Sequence, residues 1–509
     1  MITEIIIIVY FFQVGVLLVL KCYNALMNNI DRKDKHYNTV DELIKQANKH
    51  LFVPFGELDK TGRIHNLKDK GKLGIIVEEA IFEIKINNRP EPDIPNLKVE
   101  LKTTPFKRNK NGSISAKERT VLNIIDFNKE NLEDFYASHL WDKCSQILFL
   151  FYDGTLDDRP ILEYYVQKTY FFKWLEEDMP TIIEDFLRIT NKIKIGKAET
   201  LSESDGNYLS TCTKGQGHGK DMRTQPFSSV LAKQRAWELK PSYMTLILNT
   251  QVFNNEDIES ILQGRKGVSF QNLILETIKP HIGKTKDALF NEFEIDSKAK
   301  HSTSLLIRKM LGIQKELDNS AEFQKANMNL RVINIKHNGM PKEDSPFRCY
   351  SFNGILQETW EESQVYTEIC EKRFMYVFFR AIDKKDTTYV LDKVLFWGFP
   401  EYLIPEANRV WEETRKIIKD GVKLTVNDIK VTTNFPTSKI NKVIFTKIHA
   451  SNTLYEIESN KFVGKGKLSD TDELPDGRRI TKHSFWFPKK FVKKIYEEIK
   501  KFTIVHVNG

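Results

Sequence analysis

Asp93, Glu100 and Lys102 stand in the spacing D-x6-E-x-K inside EPDIPNLKVELKTT, residues 91–104, and this limits what the surrounding chain can build. Pro92 and Pro95 break regular structure around Asp93 and favour a turn there. VELKTT then alternates apolar and polar residues, the pattern of a half-buried strand. Side chains two apart on a strand share a face, so Glu100 and Lys102 point one way while Val99 and Leu101 point into a core. Asp93, on the preceding turn, reaches the same spot. Two carboxylates and an ammonium at one point is how many metal-dependent nucleases meet a phosphodiester. Oxygen ligands from Asp93 and Glu100 suit Mg2+, which binds through one or two carboxylates plus substrate phosphate. Such a metal lowers the pKa of a water and neutralises charge on phosphoryl oxygens. Lys102 then orients or helps to deprotonate the attacking water and adds positive charge beside the transition state. A chain with 29% charged residues also yields this spacing by accident, so the flanking sequence carries weight.

The segment KVELKTTPFKRNKNGSISAKERTVLNIIDF (98–127) resembles the MutH family, most closely its type II restriction endonucleases that cut at GATC. The resemblance extends to GIIVEEAIF (74–82), SHLWDKCSQILFLFY (138–152), YLSTCTKGQG (208–217) and AKQRAWELKPSYMT (232–245). It covers most of residues 35–250 and implies an α/β (α+β) fold, a central mixed sheet flanked by helices. By the same resemblance the metal-binding carboxylates fall on Asp93 and Glu100 and the strand lysine on Lys102. A further glutamate falls on Glu78, with Glu79 as rival, because a helix presents only one of two adjacent residues to a given face. An additional active-site lysine falls on Lys143.

Base recognition falls on the loop Thr211–Gly217, with Lys214 and Gly215, and on the stretch Arg235–Lys240. Lysine bidentate to guanine O6 and N7 is a common specific contact, which favours Lys214. Where the mismatch-repair branch has Arg-Pro before that lysine, this chain has Cys212 and Thr213, a departure that fits the restriction branch. From Lys98 to Thr120 there are seven Lys or Arg, Lys107 and Arg108 among them, and only two acids. That run suits phosphate contacts that position DNA without reading it.

The second half contains what reads as a degenerate copy. Asn327, Asn334 and Lys336 in NMNLRVINIK keep the D-x6-E-x-K spacing with both acids replaced by amides. An amide supplies no anionic ligand for Mg2+, so this half is expected to fold like the first and not to cut. The expectation is two tandem MutH-like folds: an apolar extension 1–30, a catalytic domain 31–265, and a degenerate DNA-binding domain 266–509 that is either allosteric or a passive clamp. Lys447, His449, Arg478 and Arg479, in polar, basic segments with interleaved aromatics, are its plausible DNA contacts.

The chain has 77 basic against 69 acidic residues, a net charge of +8 compatible with a polyanionic partner. Its five cysteines, Cys22, Cys144, Cys212, Cys349 and Cys370, include no C-x-x-C pair, which argues against a disulfide framework or a zinc site and suits a reducing cytoplasm. No P-loop or Rossmann glycine fingerprint is present. The apolar run 5–20 has 16 residues, short of the roughly 20 that span a bilayer, and no Lys or Arg precedes it. A misplaced start or dispensable tail is expected ahead of an anchor, and no membrane partner. The chain is thus expected to be a monomer, with dimerisation on DNA left open, cleaving GATC duplexes with Mg2+ beside a cognate methyltransferase that acts on the same site. The alternatives are a MutH-like mismatch-repair nicking enzyme and an inactive DNA-binding regulator.

Overall fold

The computed structural model describes residues 34–66, 71–85, 90–109, 111–130, 132–155, 159–215, 220–253, 258–299, 301–427 and 430–498. The apolar run 5–20 lies outside them, and among the described residues no helix is long and apolar enough to cross a membrane. The chain forms two compact units. The first holds residues 1–123, 133–175 and 244–256; the second holds 124–132, 176–243 and 257–509.

The first unit opens with helix α1 (Val40–Asn48), capped by the Thr39 side chain, which accepts from the Glu42 backbone N–H. The Glu42 carboxylate accepts from the Asn38 backbone N–H. Helix α2 (Lys72–Ile76) runs into a π-helical turn, Val77–Ile81. Strand β1 (Val99–Arg108) pairs antiparallel with β2 (Ile114–Ala116). After helix α3 (His139–Cys144), strand β3 (Gln146–Asp153) lies parallel to β1, and β4 (Val166–Lys173) antiparallel to β3. The order β2-β1-β3-β4 makes a mixed sheet whose Val99, Leu101, Leu148 and Leu150 form one core with Leu43, Ile76 and Val77 of the helices. VELKTT was expected to be half-buried, yet Glu100 is only 3% exposed although it alternates with the core residues.

The second unit takes helix α4 (Met179–Lys194) and strand β5 (Leu209–Thr213), then the hairpin β6 (Met222–Gln225) and β7 (Ser228–Lys233), then β8 (Arg235–Leu239) antiparallel to β5. Fully buried Asp185 of α4 accepts from the backbone N–H groups of Asn207 and Tyr208 at 2.8 Å and of Leu209 at 3.2 Å, which fixes the start of β5. Farther on, β9 (Met328–Ile335) lies parallel to β10 (Arg373–Ala381), which pairs antiparallel with β11 (Tyr389–Gly398). Phe374, Trp411, Phe485 and Phe487 anchor the core beside this sheet.

Strands β9, β10 and β11 repeat the directions of β1, β3 and β4. The repeat does not run in the register that the spacing suggested. Lys98, immediately before β1, has φ 54°, and Asn327, immediately before β9, has φ 51°. Val99 opens β1 opposite Gln146, and Met328 opens β9 opposite Arg373. Asn327 therefore matches Lys98, while Asn334 lies at the far end of β9 and Lys336 beyond it. The counterparts of Glu100 and Lys102 are Asn329 and Arg331. A helical turn, Ala321–Ala326, lengthens the link before β9, so a search at fixed spacing found the wrong residues.

Candidate active site

Glu100 and Lys102 project from β1 on the face opposite Val99 and Leu101, as a strand's period of two requires. The Lys102 ammonium donates to Glu100 Oε1 at 2.7 Å and to the Leu122 carbonyl at 3.4 Å. Lys143, in the last turn of α3, brings its Nζ to 3.7 Å from Glu100 Oε2 and donates to the Glu91 carbonyl at 3.4 Å. Asp93 sits on the Pro-flanked turn, where its Oδ2 accepts from the Leu101 backbone N–H at 2.9 Å. That bond ties the turn to the strand between Glu100 and Lys102. The five residues Glu78, Asp93, Glu100, Lys102 and Lys143 thus interact in one unit.

Burial raises the Glu100 carboxyl above its ordinary range; Lys102 opposes the rise and Asp93 adds to it. Burial is the largest influence on the Lys102 ammonium and works against it, but Glu100, Cys144 and Asp93 together hold the lysine above its ordinary value, hence charged. Glu78, on the π-helical turn, is pushed up to about 7, first by burial and then by Asp93 and Glu100. Glu79 instead lies 3.8 Å from Arg63. The adjacent glutamates therefore have different neighbours, as the one-face argument requires. Burial pushes the Cys144 thiol up to about 12, which removes it as a nucleophile near neutrality.

Asp93 helps to raise both Glu78 and Glu100, and carboxylates gathered in this way favour a cation. Buried Glu100 Oε2 has no hydrogen-bond partner, an orphaned acceptor beside Asp93. These features fit a divalent ion held by Asp93 and Glu100. Among the described residues no three His, Cys, Asp or Glu side chains already stand in a metal-ligating cluster.

The candidate DNA contacts are distributed differently. Lys107 is exposed on β1, and Arg108 pairs with Asp153 at 3.1 Å over the Phe106 ring. Lys214 is half-buried just past β5, its backbone N–H bonded to the Gln234 carbonyl. Gly215 follows with φ 127°, where a Cβ would collide with the Asp221 side chain, so only glycine fits. Arg235 is 2% exposed, donates to the Leu201 carbonyl and pairs with Glu401. Lys240 is 5% exposed; its Nζ has no hydrogen-bond partner, and burial, then Arg373, pulls it down to about 8. Neither Arg235 nor Lys240 presents its charge to solvent, because Arg235 opens a strand buried on both faces and Lys240, itself buried, directly follows it.

Farther along the chain, Lys447 pairs with Asp344 at 3.0 Å and stands over Trp486, whose ring also lies 5.5 Å from that of exposed His449. Arg478 is held by Asp476, and Arg479 by Glu473 and the Thr471 hydroxyl. Trp486 was missed by sequence reasoning, although SFWFPKK carries both an aromatic run and a basic flank.

The family model for the DNA mismatch repair enzyme MutH matches residues 82–185. The type II restriction enzyme Sau3AI of Staphylococcus aureus is 30% identical over 450 residues, 83% of this chain and 91% of that one. The DNA mismatch repair protein MutH of Shewanella woodyi is 31% identical over 182 residues, 35% of this chain and 76% of the relative. That of Actinobacillus pleuropneumoniae serotype 5b is 23% identical over 223 residues, 40% and 94% respectively.

Proposed function

Since the chain belongs to the MutH-like restriction endonuclease family and is a site-specific deoxyribonuclease acting on DNA, we propose that it cuts both strands of the duplex at GATC with Mg2+. The products are 5′-phosphate and 3′-hydroxyl ends. The observation that carries this reading is the buried Glu100, flanked by Lys102 at 2.7 Å and Lys143 at 3.7 Å, with Asp93 anchored to the strand between them. GATC rests on the resemblance of VELKTTPFK and AKQRA to the GATC-cutting branch.

Asp93 and Glu100 would hold the divalent ion, which when bound lowers the pKa of the attacking water and screens charge on the phosphate. The protein supplies the rest. Lys102 stays protonated through its contact with Glu100, so it offers an ammonium to the scissile phosphate throughout the reaction. Lys143 adds a second positive charge from the other side of Glu100. Glu78, with a carboxyl near neutrality, is suited to hold or pass a proton. Lys107 and Arg108 contact phosphates, while Lys214 and Gly215 approach base edges with Arg235 and Lys240 behind them at the neighbouring strand. Residues 266–509 form the degenerate, DNA-binding half, with Lys447, His449, Arg478 and Arg479 as contacts.

The test is digestion of a plasmid with Mg2+ and sequencing of the ends. Double-strand cuts confined to GATC support the reading; nicks point to a repair-type enzyme, and cuts scattered without regard to GATC sink the site assignment.

A further inference from the structure

The register of β9 against β10 places a second set of side chains where the first sheet holds its catalytic ones. Asp318 Oδ1 accepts from the Leu330 backbone N–H at 2.9 Å, as Asp93 does from Leu101. Asn329 takes the place of Glu100, and its Oδ1 accepts from Lys372 at 2.7 Å, as Glu100 meets Lys143. Arg331 takes the place of Lys102; it donates Nη1 to the Pro346 carbonyl and lies 4.7 Å over the Phe347 ring, which fixes the plane of its fork. The scaffold is kept and the charge is reversed. The first set holds Glu78, Asp93 and Glu100 against Lys102 and Lys143, three negative to two positive. The second holds Asp318 against Arg331 and Lys372, with Arg348 close enough to disfavour the Lys372 charge and itself paired to Glu368.

We propose that this second centre, built on Asp318, Asn329, Arg331 and Lys372, has changed from a cation site to a site for a backbone phosphate of DNA. One carboxylate and an amide do not supply the anionic ligands that a hard divalent ion needs. A fixed guanidinium with an ammonium beside it suits phosphate, because the arginine fork matches two phosphate oxygens. Asp318 and Asn329 then hold the cations in place instead of a metal. This deepens the reading of residues 266–509 as DNA-binding and names where a phosphate is held.

The experiment uses the full chain carrying Glu100→Gln, which prevents cutting, and a fluorescein-labelled GATC duplex whose affinity is measured across salt concentrations. Losing one phosphate contact lowers the slope of log affinity against log salt by about one. Lys372→Gln is expected to do so, Arg331→Gln likewise, and Lys372→Arg to restore the parent slope. Mn2+ binding, followed by electron paramagnetic resonance in the parent chain, is expected to fall with Glu100→Gln and to be unchanged by Asp318→Asn. An unaltered slope in Lys372→Gln, or loss of Mn2+ on Asp318→Asn, overturns the proposal. Cleavage of GATC by the parent is scored separately. A parent that cuts while Lys372→Gln keeps its slope fails this inference alone; one that does not cut while the slope drops fails the cleavage reading alone.

Discussion

Glu100 is held between two ammoniums while one of its oxygens accepts no hydrogen bond, so its charge is there for something the protein itself does not provide. Glu100→Gln keeps the shape and removes the charge, and is expected to cut plasmid cleavage by about 1000-fold with duplex binding retained; Lys102→Ala should behave alike. Gel-shift and cleavage assays on the same preparations check this, and loss of binding in step with cleavage would speak for a structural role instead. Glu78→Gln is expected to slow cleavage at least tenfold more than Glu79→Gln, on the order of one lost electrostatic contact, because Glu78 couples to Asp93 and Glu100 whereas Glu79 lies against Arg63. A third residue governs acid stability. His483 is buried with Nδ1 donating to the Thr481 carbonyl at 2.7 Å, and burial pushes it from 6.5 down to about 4. Below pH 6.5 the unfolded chain binds a proton that the fold refuses, so stability is lost as pH falls toward 4. The loss totals about 3 kcal/mol at about 1.4 per pH unit. Denaturant midpoints at pH 7 and pH 5 read it, and His483→Gln should flatten the difference.

At the scale of elements, the first sheet was legible because one strand carries its own pattern. VELKTT alternates, and two prolines mark the turn that supplies Asp93. The second set was not legible in position. The link from Asp318 to β9 contains a six-residue α-helix where the link from Asp93 to β1 has a three-residue 3-10 turn, and no local periodicity reports an insertion. Only strand register identifies Asn329 and Arg331. On that register, Asn329→Glu with Arg331→Lys rebuilds the missing ligand and is expected to add one bound Mn2+ per chain, counted by equilibrium dialysis; unchanged stoichiometry would mean the two centres are not equivalent. The buried pair at the head of α4 was equally invisible. Asp178 and Lys325, far apart in sequence, meet at 2.7 Å with the Tyr243 hydroxyl at 3.0 Å. Lys325→Ala strands a buried carboxylate and is expected to cost about 3–5 kcal/mol in urea unfolding.

For the whole molecule, composition indicated only a mildly basic globular chain, and the division into units was beyond sequence reasoning because neither unit is one continuous stretch. The proposal that residues 266–509 bind DNA predicts a dependence on site number. Plasmids with two GATC sites should be cut faster per site than plasmids with one, and an added uncleavable GATC duplex should accelerate the latter. Equal rates, with the duplex only competing, would make the second half a passive clamp. The division also has a consequence for the order in which the protein is made. The chain passes between units five times, after residues 123, 132, 175, 243 and 256. A ribosome that has reached residue 265 has released every residue of the catalytic centre, yet Arg235 still lacks Glu401 and Asp178 still lacks Lys325. The strands on either side of Lys214 pair with each other within residues 209–239, but the ion-pair partner of Arg235 arrives only with the last third of the chain. The second unit therefore closes its buried ion pairs long after the carboxylates of the first have been synthesised.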